Sequence, residues 1–143
     1  MHLFGRGAQL GLFALLIAAV GCGDSGTQLA EVDGTVRMNG KPMAGLLVYF
    51  NPEVEEKGLK SPGRSSYAIT DDEGRYSLTY DDPEKPRPGA VLGKHIVVIS
   101  DPRLEDRSIK AKARIPMKYS RLIETPERKE VQPGKQTLDI ELK

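Results

Sequence analysis

Short stretches in which apolar and polar residues alternate recur along the chain from residue 32 to its end, separated by glycine and proline turns. The pattern is clear in residues 32–38, 75–80 and 138–142. A period of two is typical of β-strands that bury one face, whereas no segment after residue 22 repeats with the period of an α-helix. Asn39 and Gly40 follow the first stretch, and this pair predicts a tight hairpin because both residues accept a positive φ.

Two denser apolar runs, residues 46–50 and 94–100, predict further strands, and residues 66–70 predict a short one. In residues 109–115, isoleucine and alanine alternate with lysine and arginine. That pattern predicts an edge strand, because outward charges keep an edge from pairing with other chains. Several short strands separated by turn residues favour an all-β fold, a single antiparallel β-sandwich of about seven strands. We assign the sandwich to residues 31–143.

The first 21 residues differ from the rest of the chain. Arg6 is their only fully charged residue, and residues 10–20 have no polar side chain. As a helix this run rises about 16 Å, too little to cross a hydrocarbon core of about 30 Å. A weakly basic start, an apolar centre and small residues at the end predict a signal peptide over residues 1–21. The alternative is a buried N-terminal helix, which the absence of a polar face disfavours.

Cys22 is the only cysteine, so no internal disulfide can form, and it directly follows the apolar run in the sequence AVGC. This segment resembles the lipobox of bacterial lipoproteins. The resemblance implies cleavage before Cys22 and a covalent lipid on its sulfur, with no other cofactor. The alternative is an ordinary signal peptide in which Cys22 has no role. Residues 22–30 are small and polar, which predicts a flexible tether. We therefore expect an exported, membrane-anchored lipoprotein that faces the periplasm or the cell surface.

Two segments of the predicted sandwich carry a second resemblance. Residues 36–45 read VRMNGKPMAG and residues 70–76 read TDDEGRY. In this order and spacing they resemble carboxypeptidase regulatory-like domains, which are transthyretin-like β-sandwiches with an immunoglobulin-like architecture. The segment IPMKYS at residues 115–120 is similar to one found in exported lipoproteins that carry this domain. The resemblance implies a fold and a location, with Tyr76 packed between the sheets, but no shared catalytic residues.

Candidate catalytic and metal-binding residues are few. His95 is the only histidine outside the predicted signal peptide, so a histidine-rich zinc site cannot form and a serine triad would depend on this one base. His95 shares its predicted strand face with Val97 and Ile99, which favours a packed side chain. Residues 71–73 offer carboxylates for Ca²⁺, but they lack the alternating spacing of a calcium loop. We expect a hairpin turn there, with Gly74 at positive φ, and no metal site.

The most distinctive polar feature is a segment without acidic residues, residues 107–121, which we call the basic segment. Its basic residues are Arg107, Lys110, Lys112, Arg114, Lys118 and Arg121. One interpretation is a solvated face, and the other is a surface for an anionic partner: phospholipid head groups, an acidic glycan or another protein. Residues 22–143 contain equal numbers of basic and acidic residues, which argues against binding to nucleic acid.

Together these features predict a protein that is not an enzyme. We expect a lipid-anchored β-sandwich with a binding or structural role at the cell envelope, held on the membrane by its lipid. The alternative is an accessory module that binds carbohydrate or a polyanion through the basic segment.

Overall fold

Two β-sheets face each other in the part of the chain that the computed structural model describes, residues 26–54 and 62–143. The predicted signal peptide, Cys22 and the first part of the predicted tether lie outside the described residues. In chain order the strands are β1 (Leu29–Ala30), β2 (Val32–Met38), β3 (Lys41–Pro42), β4 (Leu47–Pro52), β5 (Ser66–Ile69), β6 (Arg75–Ser77), β7 (Thr79–Tyr80), β8 (Arg87–Pro88), β9 (Ala90–Val91), β10 (Gly93–Ser100), β11 (Arg128–Val131), β12 (Gln136–Thr137) and β13 (Ile140–Leu142). Short 3-10 helices occur at Pro102–Leu104 and Met117–Ser120.

The larger sheet contains six strands in the order β11-β10-β4-β5-β7-β8, and every neighbouring pair is antiparallel. The smaller sheet has β2 at its centre, with β3 and β6 antiparallel on one side. On the other side, β12 and β13 run parallel to β2. β1 and β9 form a separate antiparallel pair. The predicted all-β sandwich is confirmed, and the parallel C-terminal strands are a feature that the alternation pattern did not indicate.

The hydrophobic core lies between the inner faces of the two sheets, as the alternation predicts. In the larger sheet, Val48 and Phe50 of β4 and Val97 and Ile99 of β10 are fully buried. The smaller sheet contributes Val36, Tyr76, Ile140 and Leu142 to the same cluster. Burying one such side chain contributes about 1.5–3 kcal/mol, so this cluster is the main source of stability.

The hairpin predicted at Asn39 and Gly40 is confirmed. These two residues connect β2 to β3, where Met38 pairs with Lys41. Asn39 has a φ of 51° and Gly40 a φ of 78°. Positive φ at both positions matches the twist of the two strands and is tolerated by these residue types.

Residues 75–80 were expected to form one strand, but the chain changes sheets within them. β6 pairs with β2 in the smaller sheet, and β7 pairs with β5 in the larger sheet. Tyr76, Leu78 and Tyr80 are all buried, because the inward alternation continues through the crossing. The hairpin predicted at residues 71–74 is therefore wrong, because this turn connects β5 of the larger sheet to β6 of the smaller sheet rather than two paired strands.

The predicted edge strand at residues 109–115 is wrong, because these residues form no strand. Ile109 is 51% exposed whereas Ile115 is buried, so the alternating residues share no buried face. An ion pair between Asp101 and Arg114 instead closes the intervening residues into a loop at the end of β10. The edge strand next to β10 is β11. At the other end of the domain the first strand begins at Leu29, so the last two residues of the predicted tether belong to the fold.

Tyr76 crosses the central strand of the smaller sheet at Gly34. The two residues are directly paired, and the Tyr76 hydroxyl donates to the carbonyl oxygen of Leu138 on the other side of β2. A Cβ atom at position 34 would lie 2.9 Å from Tyr76 Cε1 and inside contact distance of the Leu138 carbonyl. The pairing with β2 is interrupted between β12 and β13, where the Asp139 carboxylate accepts from the Thr35 backbone N–H at 2.8 Å. Gly34 is required by this close approach.

We expect Gly34→Ala to lower the free energy of unfolding by about 3 kcal/mol, at the upper end for overpacking, because two backbone segments would have to separate. Gly40→Ala is the matched control: Gly40 has a φ of 78° but open space around it. An alanine held in this left-handed conformation should lower the free energy of unfolding by about 1–2 kcal/mol. Urea denaturation of both variants tests whether Gly34→Ala loses more stability than Gly40→Ala. Equal costs, or a larger cost at Gly40, would contradict the close approach.

Candidate functional site

The basic segment lies at the end of the sandwich remote from β1. β9 pairs with β1 and directly precedes β10. The 8 residues of β10 then carry the chain about 25 Å to the opposite end, where the loop before Arg114 begins. We call this opposite end the distal end. Residues 107–113 of the basic segment are therefore separated from β1 by the length of the domain.

Arg114 is a structural residue rather than a free cation. Its Nε lies 2.7 Å from Asp101 Oδ2, and its Nη1 donates to the Ala44 carbonyl at 2.9 Å. The side chain of Asp101 has no exposed surface, and it also accepts from Arg103. Hydrogen bonds from Arg103, and then from Arg114, hold the pKa of Asp101 well below its usual range. A carboxylate buried in this way needs both cations, so Arg114 is not available to a ligand.

The other predicted anion-binding residues differ in their availability. Arg121 Nη1 lies 2.7 Å from Glu124 Oε1, and Lys118 Nζ lies 4.9 Å from the centre of the Tyr119 ring. Arg107, Lys110 and Lys112 are exposed and have no ion pair to any residue that the structure describes. All three belong to the loop that the Asp101–Arg114 pair closes.

His95 is packed in the core, as predicted. The residue is 1% exposed, and its ring lies 5.7 Å from the Phe50 ring. Its Nδ1 donates to the Gly93 carbonyl at 3.0 Å, which leaves Nε2 buried without a partner among the described residues. Burial lowers the pKa of His95, and the hydrogen bond to Gly93 only partly offsets this effect. The ring is therefore neutral at physiological pH.

The acidic turn at residues 71–74 holds its own backbone, as expected. Asp71 Oδ1 accepts from the backbone N–H groups of Glu73 and Arg75 at 3.0 and 2.8 Å. These hydrogen bonds lower the pKa of Asp71. Gly74 has a φ of 75°. Within residues 26–54 and 62–143, no group of three or more acidic, histidine or cysteine residues is arranged to hold a metal ion.

The outer face of the larger sheet carries an aromatic surface that the sequence analysis did not identify. Val98, Tyr49 and Tyr67 lie side by side on β10, β4 and β5. The centres of the two tyrosine rings are 6.4 Å apart and the ring planes are inclined by 46°. Tyr49 is 36% and Tyr67 is 38% exposed. The alternation pattern places both tyrosines outward, but only the strand register places them together.

A groove of about 370 Å³ runs along this surface, and we call it the tyrosine groove. Tyr49 and Val98 form its apolar part, with Leu122 on one side. Asn51 and Asp81 provide polar groups. The Asn51 amide is fixed, because it accepts from Ser65 Oγ at 2.8 Å and donates to a β10 carbonyl at 3.2 Å. Asp81 is the only charged residue among the described residues that line the groove.

Comparisons with known proteins return no match. No protein-family model matches the chain, and neither the curated proteins nor the solved structures show a significant similarity to it. No helix within the described part of the chain is long and apolar enough to cross a membrane.

Stability should fall as the pH is lowered from about 7.5 to 5.5, because His95 gains a proton on unfolding. In the unfolded chain His95 titrates near pH 6.5, whereas burial lowers its pKa in the folded protein. The unfolded state therefore binds more protons within this window, and each proton favours unfolding. We expect the wild-type melting temperature to drop by a few degrees.

His95→Gln is the control, since its side chain stays neutral and can still donate to Gly93. Its melting temperature should be lower overall but flat between pH 7.5 and 5.5. Carboxylates contribute little to the pH dependence of stability in this range, because their pKa values in the unfolded chain are about 4. The same slope in both proteins would show that another group causes the pH dependence.

Proposed function

We propose that the chain is a non-enzymatic, lipid-anchored protein of the cell envelope whose β-sandwich is a binding module. The observation that carries the proposal is the position of Cys22, directly after an apolar run and a few residues before β1 begins at Leu29. The link between them extends at most about 3.5 Å per residue. A lipid on Cys22 would therefore keep the sandwich close to the membrane surface.

The polar side chains that could take part in catalysis already make contacts within the fold, which supports a binding role over catalysis. The His95 ring is buried against Phe50, so it does not reach a substrate. The Asp101 carboxylate is buried between two arginines, and Asp71 holds the backbone of its own turn. Each of these polar side chains stabilises the fold. The resemblance to carboxypeptidase regulatory-like domains points in the same direction, because it implies an exported accessory domain without shared catalytic residues.

Cys22→Ser tests the anchor. The wild-type protein should partition into the detergent phase, because each acyl methylene that leaves water contributes about 0.8 kcal/mol. The variant has no sulfur to carry lipid, so it should enter the aqueous phase or accumulate as the uncleaved precursor. Detergent-phase partitioning with mass spectrometry of the N-terminus measures both outcomes. A variant that enters the detergent phase like wild type, with the signal removed from both, would contradict the lipid anchor.

A second candidate function is the binding of a polyanion by the loop between Asp101 and Arg114. It is favoured by Arg107, Lys110 and Lys112, which are exposed and free of ion pairs to the described residues. The loop lies at the distal end, away from the predicted tether. An acidic glycan or an acidic protein beyond the anchoring membrane therefore fits this position better than the head groups of that membrane.

The double variant Lys110→Ala/Lys112→Ala should elute from a heparin column at clearly lower salt than wild type. A basic residue near an anionic surface contributes about 1 kcal/mol, so the pair should lose about 2 kcal/mol of binding free energy. Lys85→Ala/Lys94→Ala removes the same charge from exposed sites outside the loop and serves as the control. If both double variants shift equally, net charge alone explains retention, and the loop is not a binding site.

A further inference from the structure

We propose that the tyrosine groove binds an uncharged, hydroxyl-rich glycan segment. This inference deepens the binding role proposed above and rests on it, but it does not depend on the lipid anchor or on the basic segment. It assigns the binding role to a different surface of the molecule, the outer face of the larger sheet.

The chemistry of the groove matches the two kinds of surface that a sugar ring presents. A sugar has apolar C–H faces that pack on aromatic rings, and hydroxyl groups that require hydrogen-bond partners. Tyr49 offers ring surface to the groove at 36% exposure, and Tyr67, which does not line the groove, lies beside it on the same face. Neither hydroxyl is hydrogen-bonded to another described residue. Tyrosine suits such contacts because it pairs an apolar body with a polar tip.

Polar groups stand beside the rings in fixed positions. The Asn51 amide is held by Ser65 and by a β10 carbonyl, so it has little rotamer freedom left to lose on binding. Asp81 adds a carboxylate that accepts hydrogen bonds from sugar hydroxyls. A volume of about 370 Å³ lies near the lower end of the range for small-molecule sites, about 300–1,000 Å³. The groove therefore fits a short sugar segment.

The charge of the groove selects against acidic ligands. Asp81 is the only charged residue among the described lining residues, and it has no ion pair to any described residue. A sulfated, phosphorylated or carboxylated glycan would therefore meet a negative charge in the groove. The nearby Arg121 is paired with Glu124 and does not offset this charge. The tyrosine groove thus favours uncharged glycans, whereas the basic segment favours acidic ones.

An extended peptide fits this surface poorly. Peptides that add a strand need the free backbone groups of a sheet edge. β4 and β5 lie inside the larger sheet with a neighbouring strand on each side, so their backbone groups already bond within the sheet. A peptide would have to bind through its side chains alone. The experiment therefore has to distinguish peptide binding from glycan binding.

The test uses the full-length protein in detergent and three uncharged probes: tetramers of N-acetylglucosamine, of β-1,4-linked glucose and of α-1,4-linked glucose. Saturation-transfer NMR detects binding on the sugar protons, and titration up to about 10 mM reaches dissociation constants weaker than 1 mM. We expect at least one tetramer to bind. Tyr49→Ala and Asn51→Ala should each weaken binding by about tenfold, corresponding to about 1.4 kcal/mol.

Three controls make the result specific. Tyr49→Phe keeps the ring and should retain most of the affinity, whereas Ile109→Ala changes an exposed residue of the distal loop and should have no effect. Asp81→Asn should keep the uncharged glycan bound and admit a heparin fragment that wild type excludes from the groove. A cooperative thermal melt above the assay temperature shows that each variant is folded.

The proposal is overturned if none of the three tetramers binds, or if Tyr49→Ala binds as wild type does. It is also overturned if an unstructured tetrapeptide of uncharged residues competes equally well with the sugar. Failure of the lipid anchor is a separate result, because Cys22→Ser alters membrane partitioning and leaves the tyrosine groove intact.

Discussion

Tyr76 connects the centre of the smaller sheet to its C-terminal edge, and much of the fold depends on this connection. Its hydroxyl reaches across Gly34 to the carbonyl of Leu138, while its ring packs 6.2 Å from that of Phe50 in the opposite sheet. Burial raises the pKa of Tyr76 far above its usual value, and the nearby Asp139 raises it further. The hydroxyl therefore stays a donor at any physiological pH. Without this donor, the Leu138 carbonyl would be left unpaired at the point where the parallel pairing with β2 is interrupted.

The ion pair of Asp101 and Arg114 has a comparable role at the distal end. The loop between these two residues has no strand to hold it, and the ion pair fixes its ends instead. A buried carboxylate between two guanidinium groups tolerates few other arrangements. The hydrogen bond from Arg114 to the Ala44 carbonyl ties the loop to the segment after β3. Consequently one basic residue of the segment stabilises the fold, while Lys110 and Lys112 remain exposed on the loop that it holds.

The two candidate binding surfaces differ in position and charge. The loop between Asp101 and Arg114 presents cations that have no ion pair to a described residue, and the tyrosine groove presents the Tyr49 ring and one carboxylate on the flank of the larger sheet. A lipid on Cys22 would place β1 nearest to the membrane, so neither surface would be covered by the anchor itself. The proposed acidic partner and the proposed uncharged glycan would then bind at separate places.

Local sequence determined the features that depend on neighbouring residues: the alternation of Val32–Met38, the hairpin at Asn39 and Gly40, the positive φ of Gly74, and the buried face that contains His95. The predictions of a signal peptide and of a lipid on Cys22 rest on sequence alone. Tertiary structure decided the parallel pairing of the C-terminal strands, the change of sheets within residues 75–80, the role of Arg114 and the meeting of Tyr49 with Tyr67. These features join residues far apart in the chain, and periodicity specifies which side of a strand a residue faces but not which strand lies beside it.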